Sequence, residues 1–282
     1  MKSTKRSLEI FLFSILMVLG TAGIVSAIPL GTNITIDDGV RAASTNTTYN
    51  AWWNTEKEDQ EVEPGCVTGQ MWDLEGFFLD GTMLTMVGGY DFLNGEDGNG
   101  EHFDSGDIFI DTNGDVVYGQ DNFSGSGDGY KTVDDNFGYD YALRLDFGSS
   151  KYHVYSLNDS SPVKLAYYRQ NDEANPVAYI NGENEDILIS GSLNYYTGLA
   201  DTDVGGLQGG THNAVAIDLC DLINAGADLQ DFTAHFTMEC GNDLLMGQGS
   251  APVPEPATVL LVGTGLFGMI AFGRKRFNKK IG

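Results

Sequence analysis

The sequence predicts an all-β body, an antiparallel β-sandwich of jelly-roll-like form, flanked by an N-terminal signal peptide and a short C-terminal transmembrane helix. Three observations predict it. Between Ile28 and Ser250, short runs rich in β-branched and aromatic residues are separated by clusters of Gly, Asn and Asp. No amphipathic helical pattern of a dozen residues interrupts them. Two apolar stretches, one at each end, bracket the whole. The expected division is 1–27 as signal peptide, 28–250 as exported β-sandwich domain and 251–282 as a tail.

In residues 1–27, Lys2, Lys5 and Arg6 precede an apolar run from Ile10 to Leu19. Val25-Ser26-Ala27 follows, with small or modest side chains at the positions a signal peptidase reads, so cleavage is expected after Ala27. The run is too short to span about 30 Å of hydrocarbon as a retained helix. Signal peptidase is the first expected partner.

Within the body, candidate strands fall at 83–87, 107–110, 116–118, 139–147, 152–157, 163–169, 186–193, 214–222 and 232–240. The last is the clearest: Phe232, Ala234, Phe236, Met238 and Cys240 alternate with Thr233, His235, Thr237 and Glu239. A period of two predicts one buried face and one face in water. Many short strands at such spacing favour an antiparallel sandwich. Residues 41–65 and 91–106, acidic and rich in Asn, Thr or Gly, read as long surface loops. Without a repeat at solenoid or propeller spacing, the body is one domain.

The 282 residues carry 15 Lys and Arg against 40 Asp and Glu, a formal charge of −25. Three basic residues lie within 1–27 and five at 274–280. With Glu9 and Glu255 also set aside, the body keeps seven basic and thirty-eight acidic residues, or −31. Nucleic acid is excluded as a natural partner, because phosphate binding needs a basic patch. At 41% apolar residues the chain has enough hydrophobic material for a core.

In the tail, Pro252, Pro254 and Pro256 end regular structure and make an extended linker. Residues 258–273 contain no charge and rise about 24 Å as a helix, a marginal span. Arg274, Lys275 and Arg276 follow at once and would stay cytoplasmic. The run VPEPATVLLVGTGLFGMIAFGRKRF resembles a PEP-CTERM sorting signal, with Pro254-Glu255-Pro256 as its signature and Arg274, Lys275 and Arg276 as its basic end. The resemblance implies a transient inner-membrane anchor that an exosortase removes or exchanges, releasing the protein to the cell surface or extracellular matrix. Two stretches of the body, HFTMECGND and SGDIFIDTNGD, also resemble segments of PEP-CTERM surface proteins. That likeness implies a β-rich fold and an address but no activity. Gly263-Thr264-Gly265-Leu266-Phe267-Gly268 fits a dinucleotide fingerprint, yet it lies inside the apolar stretch without the strand, helix and acid the motif needs.

Asp111, Asn113 and Asp115 place three oxygen-bearing side chains at alternating positions, as calcium loops begin. Gly114 is fourth rather than sixth and position twelve is Asn122, so a tight Asn-Gly turn is the competing reading. Calcium is thus a candidate cofactor with a stabilising role, relieving self-repulsion. Cys66, Cys220 and Cys240 allow one disulfide of open pairing in an oxidising compartment, with a small buried thiol as the alternative for Cys240. His102, His153, His212 and His235 are scattered, and no metalloprotease or nucleophile-elbow motif is present. Trp52, Trp53, Trp72, Tyr167, Tyr168, Tyr195 and Tyr196 supply candidates for stacking on sugars, one of each adjacent pair facing outward. The leading expectation is a non-enzymatic surface or biofilm-matrix protein. The alternative is an exopolysaccharide-binding module at the same address, and a third reading, a polysaccharide-active hydrolase, rests only on abundant carboxylates.

Overall fold

Alternation of inward and outward side chains governs far more of the chain than 232–240. A computed structural model describes residues 28–36, 69–116, 127–169, 171, 174–180 and 187–252. In chain order its strands are β1 (Thr32–Asn33), β2 (Leu74–Asp80), β3 (Met83–Gly88), β4 (Glu96–Gly98), β5 (Glu101–Phe103), β6 (Ile108–Asp111), β7 (Thr132–Asp134), β8 (Tyr141–Asp146), β9 (Lys151–Ser156), β10 (Pro162–Lys164), β11 (Ala178–Tyr179), β12 (Ile189–Leu199), β13 (His212–Asp218), β14 (Phe232–Thr237) and β15 (Leu244–Gly249). A five-residue helix, α1 (Cys220–Asn224), follows β13. Ten strands form one antiparallel sheet in the order β1-β2-β3-β13-β12-β9-β8-β6-β14-β15, while β11-β10-β7 form a small sheet and β4-β5 a hairpin.

The large sheet curls on itself. β12 turns the corner: residues 189–192 pair with β9, whereas Leu193 onward pairs with β13. Gly191 sits at that corner because the Tyr152 ring crosses it; a Cβ there would stand 2.2 Å from the ring. At the opposite side the two far edges of the sheet meet through residues 32–36. Ile34 N–H donates to the Phe77 carbonyl of β2 at 2.9 Å. Thr35 then bridges to Gly247 of β15, Ile36 N–H donates to the Met246 carbonyl at 2.8 Å, and Gln248 N–H donates to the Ile34 carbonyl at 2.9 Å. Pairing both edges with one segment removes a template for adventitious strand addition.

Inside the curl, Leu84 and Met86 of β3, Val215 and Ile217 of β13, Leu143 of β8 and Phe232 and Phe236 of β14 share one core. Each such side chain contributes about 1.5–3 kcal/mol by leaving water. The outer faces are covered too. Phe109, Ala142 and Tyr155 pack under Val163, Leu165 and Tyr179, brought by the small sheet and the chain after it. Phe78, Val87 and Ala214 are covered by Ile28, Leu30 and Val204.

The covering on the side of Phe109 and Tyr139 corrects the expectation of a wet face on 232–240. Phe232, Ala234 and Phe236 point inward as predicted, but His235 and Thr237 are fully buried as well. His235 lies beside the Phe109 and Tyr139 rings and donates from Nε2 to the Pro176 carbonyl at 2.8 Å. Other expectations shift for local reasons. The strand expected over 214–222 ends at Asp218, whose Oδ1 accepts from Cys220 N–H and the Thr82 hydroxyl and starts α1. The strand expected at 163–169 stops at Lys164, because Ala166 N–H turns to the Asn175 side chain and Tyr167 N–H to the Glu239 carbonyl. Residues 91–106 are not a loop throughout: Phe92 and Phe103 are core residues, and Phe103 ends the β4-β5 hairpin. At 116–118, Val116 is outside any strand, and 117 and 118 lie outside the described residues.

Candidate functional site

The body delivers its C-terminus at the seam. β15 ends at Gly249, and Ala251 is 1% exposed with its N–H donating to the Leu229 carbonyl at 2.7 Å. Pro252, the next residue, is exposed. Beside it is a cavity of about 590 Å³, lined among others by Thr32, Ile34, Leu79, Gln248 and Pro252. The chain is therefore anchored in the core up to residue 251, one position before the proline-rich linker.

A second feature is a face of tyrosines. Phe103 carries Tyr167 and Tyr168 at centroid distances of 5.4 and 5.6 Å, and Tyr130 meets the Tyr167 ring edge-on at 5.1 Å. Hydrogen bonds hold the hydroxyls: Tyr130 donates to Glu239 Oε2 at 2.8 Å, and Asn99 Nδ2 donates to the Tyr168 hydroxyl at 2.9 Å. Glu239 also accepts from Lys164 Nζ at 2.6 Å and from Asp104 N–H at 3.1 Å. Lys164 in turn stands 4.2 Å from the centroid of the Tyr130 ring. Burial, the hydrogen bond to Glu239 and nearby negative charge push the Tyr130 phenol well above its ordinary range, so it stays a neutral donor. Tyr130 remains 45% exposed, a ring oriented from behind and open in front.

The other aromatic candidates fare differently. Trp72 is buried against Phe103 in the core, so it is no sugar platform; its neighbour in space, Gly98, leaves just enough room for the indole. Tyr195 turns inward onto Phe147 and donates to Asp91 Oδ1 at 2.9 Å, while Tyr196 packs on the outer cluster with Phe78. With Leu93 and Asn194 they line a groove of about 390 Å³. Trp52 and Trp53 lie outside the described residues.

At the loop after β6, Asp111 is buried and its Oδ1 accepts from the N–H groups of Asn113 (2.9 Å) and Gly114 (3.0 Å). Asn113 Oδ1 accepts from Asp115 N–H at 2.9 Å, and Asp140 Oδ2 takes both Thr112 donors at 2.7 and 2.6 Å. These are the bonds of a tight side-chain-capped turn, with Gly114 at φ 79°. Among the described residues, no three His, Cys, Asp or Glu side chains gather as a metal cluster. Cys220 and Cys240 are not bonded to each other. Cys240 is buried in the core and desolvation pushes its thiol up to about 12, which makes it unreactive at neutral pH. Cys66, Ala27, Pro254, Glu255, Pro256, Arg274, Lys275 and Arg276 lie outside the described residues, as does the apolar stretch 258–273.

Two polar clusters escaped the sequence reading because their members are far apart in the chain. His212, fully buried, has Nδ1 2.6 Å from Glu75 Oε2 and Nε2 3.1 Å from Asp201 Oδ1, and Gln70 donates to Glu75 Oε1 at 2.6 Å. The bond to His212 holds the exposed Asp201 carboxyl below its usual range. Asp107, buried before β6, meets Arg144 of β8 at 3.3 Å and accepts from Tyr179 N–H at 2.9 Å. Both clusters fasten separate elements together.

The body is thus a largely β unit in which the core-anchored Ala251 directly precedes a proline-punctuated stretch of sequence, the layout of an exported protein with a C-terminal sorting signal. Residues 252–276 match the PEP-CTERM protein-sorting motif, so the chain carries that motif at its C-terminal end. The motif implies export to the cell surface by membrane-associated sorting, with an exosortase as processing partner. No curated protein and no solved structure matches the chain.

Proposed function

We propose that the protein is a non-enzymatic surface or biofilm-matrix component, exported through a leader cut after Ala27 and held at the inner membrane by residues 258–273 until an exosortase acts near Pro254-Glu255-Pro256. One observation carries this reading: the sorting motif begins at residue 252, directly after Ala251 is locked into the core. The last described strand ends at Gly249, ahead of the motif, so processing at the motif removes no described strand of the sheet. The engaged carboxylates support a structural body, since Glu75, Asp107 and Glu239 each hold two or more elements together. Mass spectrometry of protein recovered from the cell surface tests it: the material should start at Ile28 and lack residues 258–282. An intact C-terminus on released protein would refute the reading.

A second reading is favoured by Tyr130, whose exposed ring is fixed by Glu239 and Lys164 beside Tyr167 and Tyr168. Such a ring stacks on the apolar face of a sugar, and neighbouring carboxyl and amide groups take its hydroxyls. Titration with exopolysaccharide reads this, Tyr130→Ala weakening binding by about tenfold or more if the ring carries it. Calcium at Asp111, Asn113 and Asp115 belongs to the same proposal as a stabiliser of the β6 loop, read by melting with and without a chelator.

A further inference from the structure

The segment that follows the expected leader junction is also the segment that closes the sheet. Pro29 offers its carbonyl to the Thr85 hydroxyl of β3 at 2.7 Å, and Thr85 is fully buried. Ile28 and Leu30 pack over Phe78, Val87 and Val204. Gly31, at φ 66°, presses so closely on β2 that a Cβ would stand 2.2 Å from the Leu79 carbonyl oxygen. Residues 32–36 then join β2 to β15. The chain is docked from the first residue or two beyond Ala27.

Leader removal is hydrolysis of the Ala27–Ile28 bond: water gives its hydroxyl to the Ala27 carbonyl carbon and a proton to the Ile28 nitrogen. A peptidase holds its substrate extended in a cleft over several residues on both sides of that bond. Residues 28–31 cannot lie in such a cleft and against β2 and β3 at once. We infer that the leader peptidase and the sheet compete for residues 28–31, so that the leader is cut before the seam closes. Cleavage precedes closure, and a chain that closes first hides its own processing site. This rests on the leader reading above.

An order-of-addition experiment on the full chain in detergent tests the inference with purified signal peptidase. The chain is diluted from urea either into peptidase or into buffer, with peptidase added after refolding. Early addition should yield protein starting at Ile28, while late addition should cut slower by about 100-fold or more, at the rate of local opening. Gly31→Val, which cannot dock, should restore late cutting, and Thr85→Val, which removes one of several docking contacts without altering the peptidase's own substrate, should speed it by a few-fold. Equal rates in the two arms overturn the inference and spare the leader. Continued protection of a folded Gly31→Val chain that is cut in its own early arm overturns it as well, because docking is then not what hides the bond. No cutting in either arm removes the leader reading and the inference with it.

Discussion

At the scale of single residues, stability is concentrated where a charge is buried with its partner. Burial pushes the Asp107 carboxyl up, and Arg144 pulls it back. The guanidinium faces both carboxylate oxygens, at 3.4 Å from Nε and 3.3 Å from Nη2, and also donates to the Tyr179 carbonyl. Its planar group lies 5.2 Å from the centroid of the Tyr155 ring. One side chain therefore ties β8 to β11 and neutralises a carboxylate that water cannot reach. Arg144→Ala leaves that carboxylate uncompensated and should cost on the order of 3 kcal/mol, read as a lower urea midpoint at unchanged slope. Arg144→Lys should recover only part of it, because an ammonium cannot face both oxygens in a plane. A loss below about 0.5 kcal/mol for the alanine variant would show that the pair does not hold the small sheet.

At the scale of elements, the seam is the shortest joint in the large sheet, two paired residues in β1 and a single bridge to β15 where every other pairing runs three residues or more. Thr35 accepts from Phe77 N–H at 3.0 Å and donates to Asn33 Oδ1 at 2.6 Å, so its hydroxyl fastens 32–36 to β2 while its backbone faces β15. Thr35→Val strands the Phe77 N–H and should lower stability by about 1–2 kcal/mol. Amide exchange at Ile36 and Gln248 should accelerate before exchange at β14 does, since local opening releases the seam first. Uniform acceleration across the sheet would mean that the seam does not open separately. This joint was illegible in the sequence, because β1 is two residues long and its partners stand some forty and two hundred positions away. β14 was legible because five apolar residues keep strict period two. β2 was missed because Glu75 and Gly76 break that period where the register shifts, and β15 because Gly247 and Gly249 dilute it. His235 and Thr237 read as wet because a covering layer is a long-range fact that no local pattern contains. Of the candidate sites, the sorting motif over 252–276 was legible, being contiguous. The tyrosine face was half legible, Tyr167 and Tyr168 having been singled out while Tyr130 and Glu239 had no signal.

At the scale of the whole molecule, a net charge of −25 sets a repulsive background against which particular carboxylates are held in place. Burial would raise Asp91, but donors from Asn94, Tyr195 and Leu93 keep it below its ordinary value. Ser149 does the same for Asp146, and His212 for Asp201. Glu96 moves the other way, raised by burial and by Asp91 and Asp97. A carboxyl whose folded value is depressed stabilises the fold above its unfolded value and loses that stabilisation as pH falls through the folded one. Glu96 has the opposite sign: its cost at neutral pH is relieved on protonation. Three depressed groups, Asp91, Asp146 and Asp201, against two raised ones, Glu96 and Asp107, predict a melting temperature nearly flat from pH 7 to about 5 and falling below about pH 4. Salt acts on the background instead. Raising ionic strength from about 10 to 150 mM shortens the screening length from about 30 to 8 Å and should raise the melting temperature at pH 7. That gain should shrink towards pH 4, where protonation has already removed much of the repulsion. Identical melting at both salts at pH 7 would mean that the acidic surface is neutralised by bound counterions before any salt is added.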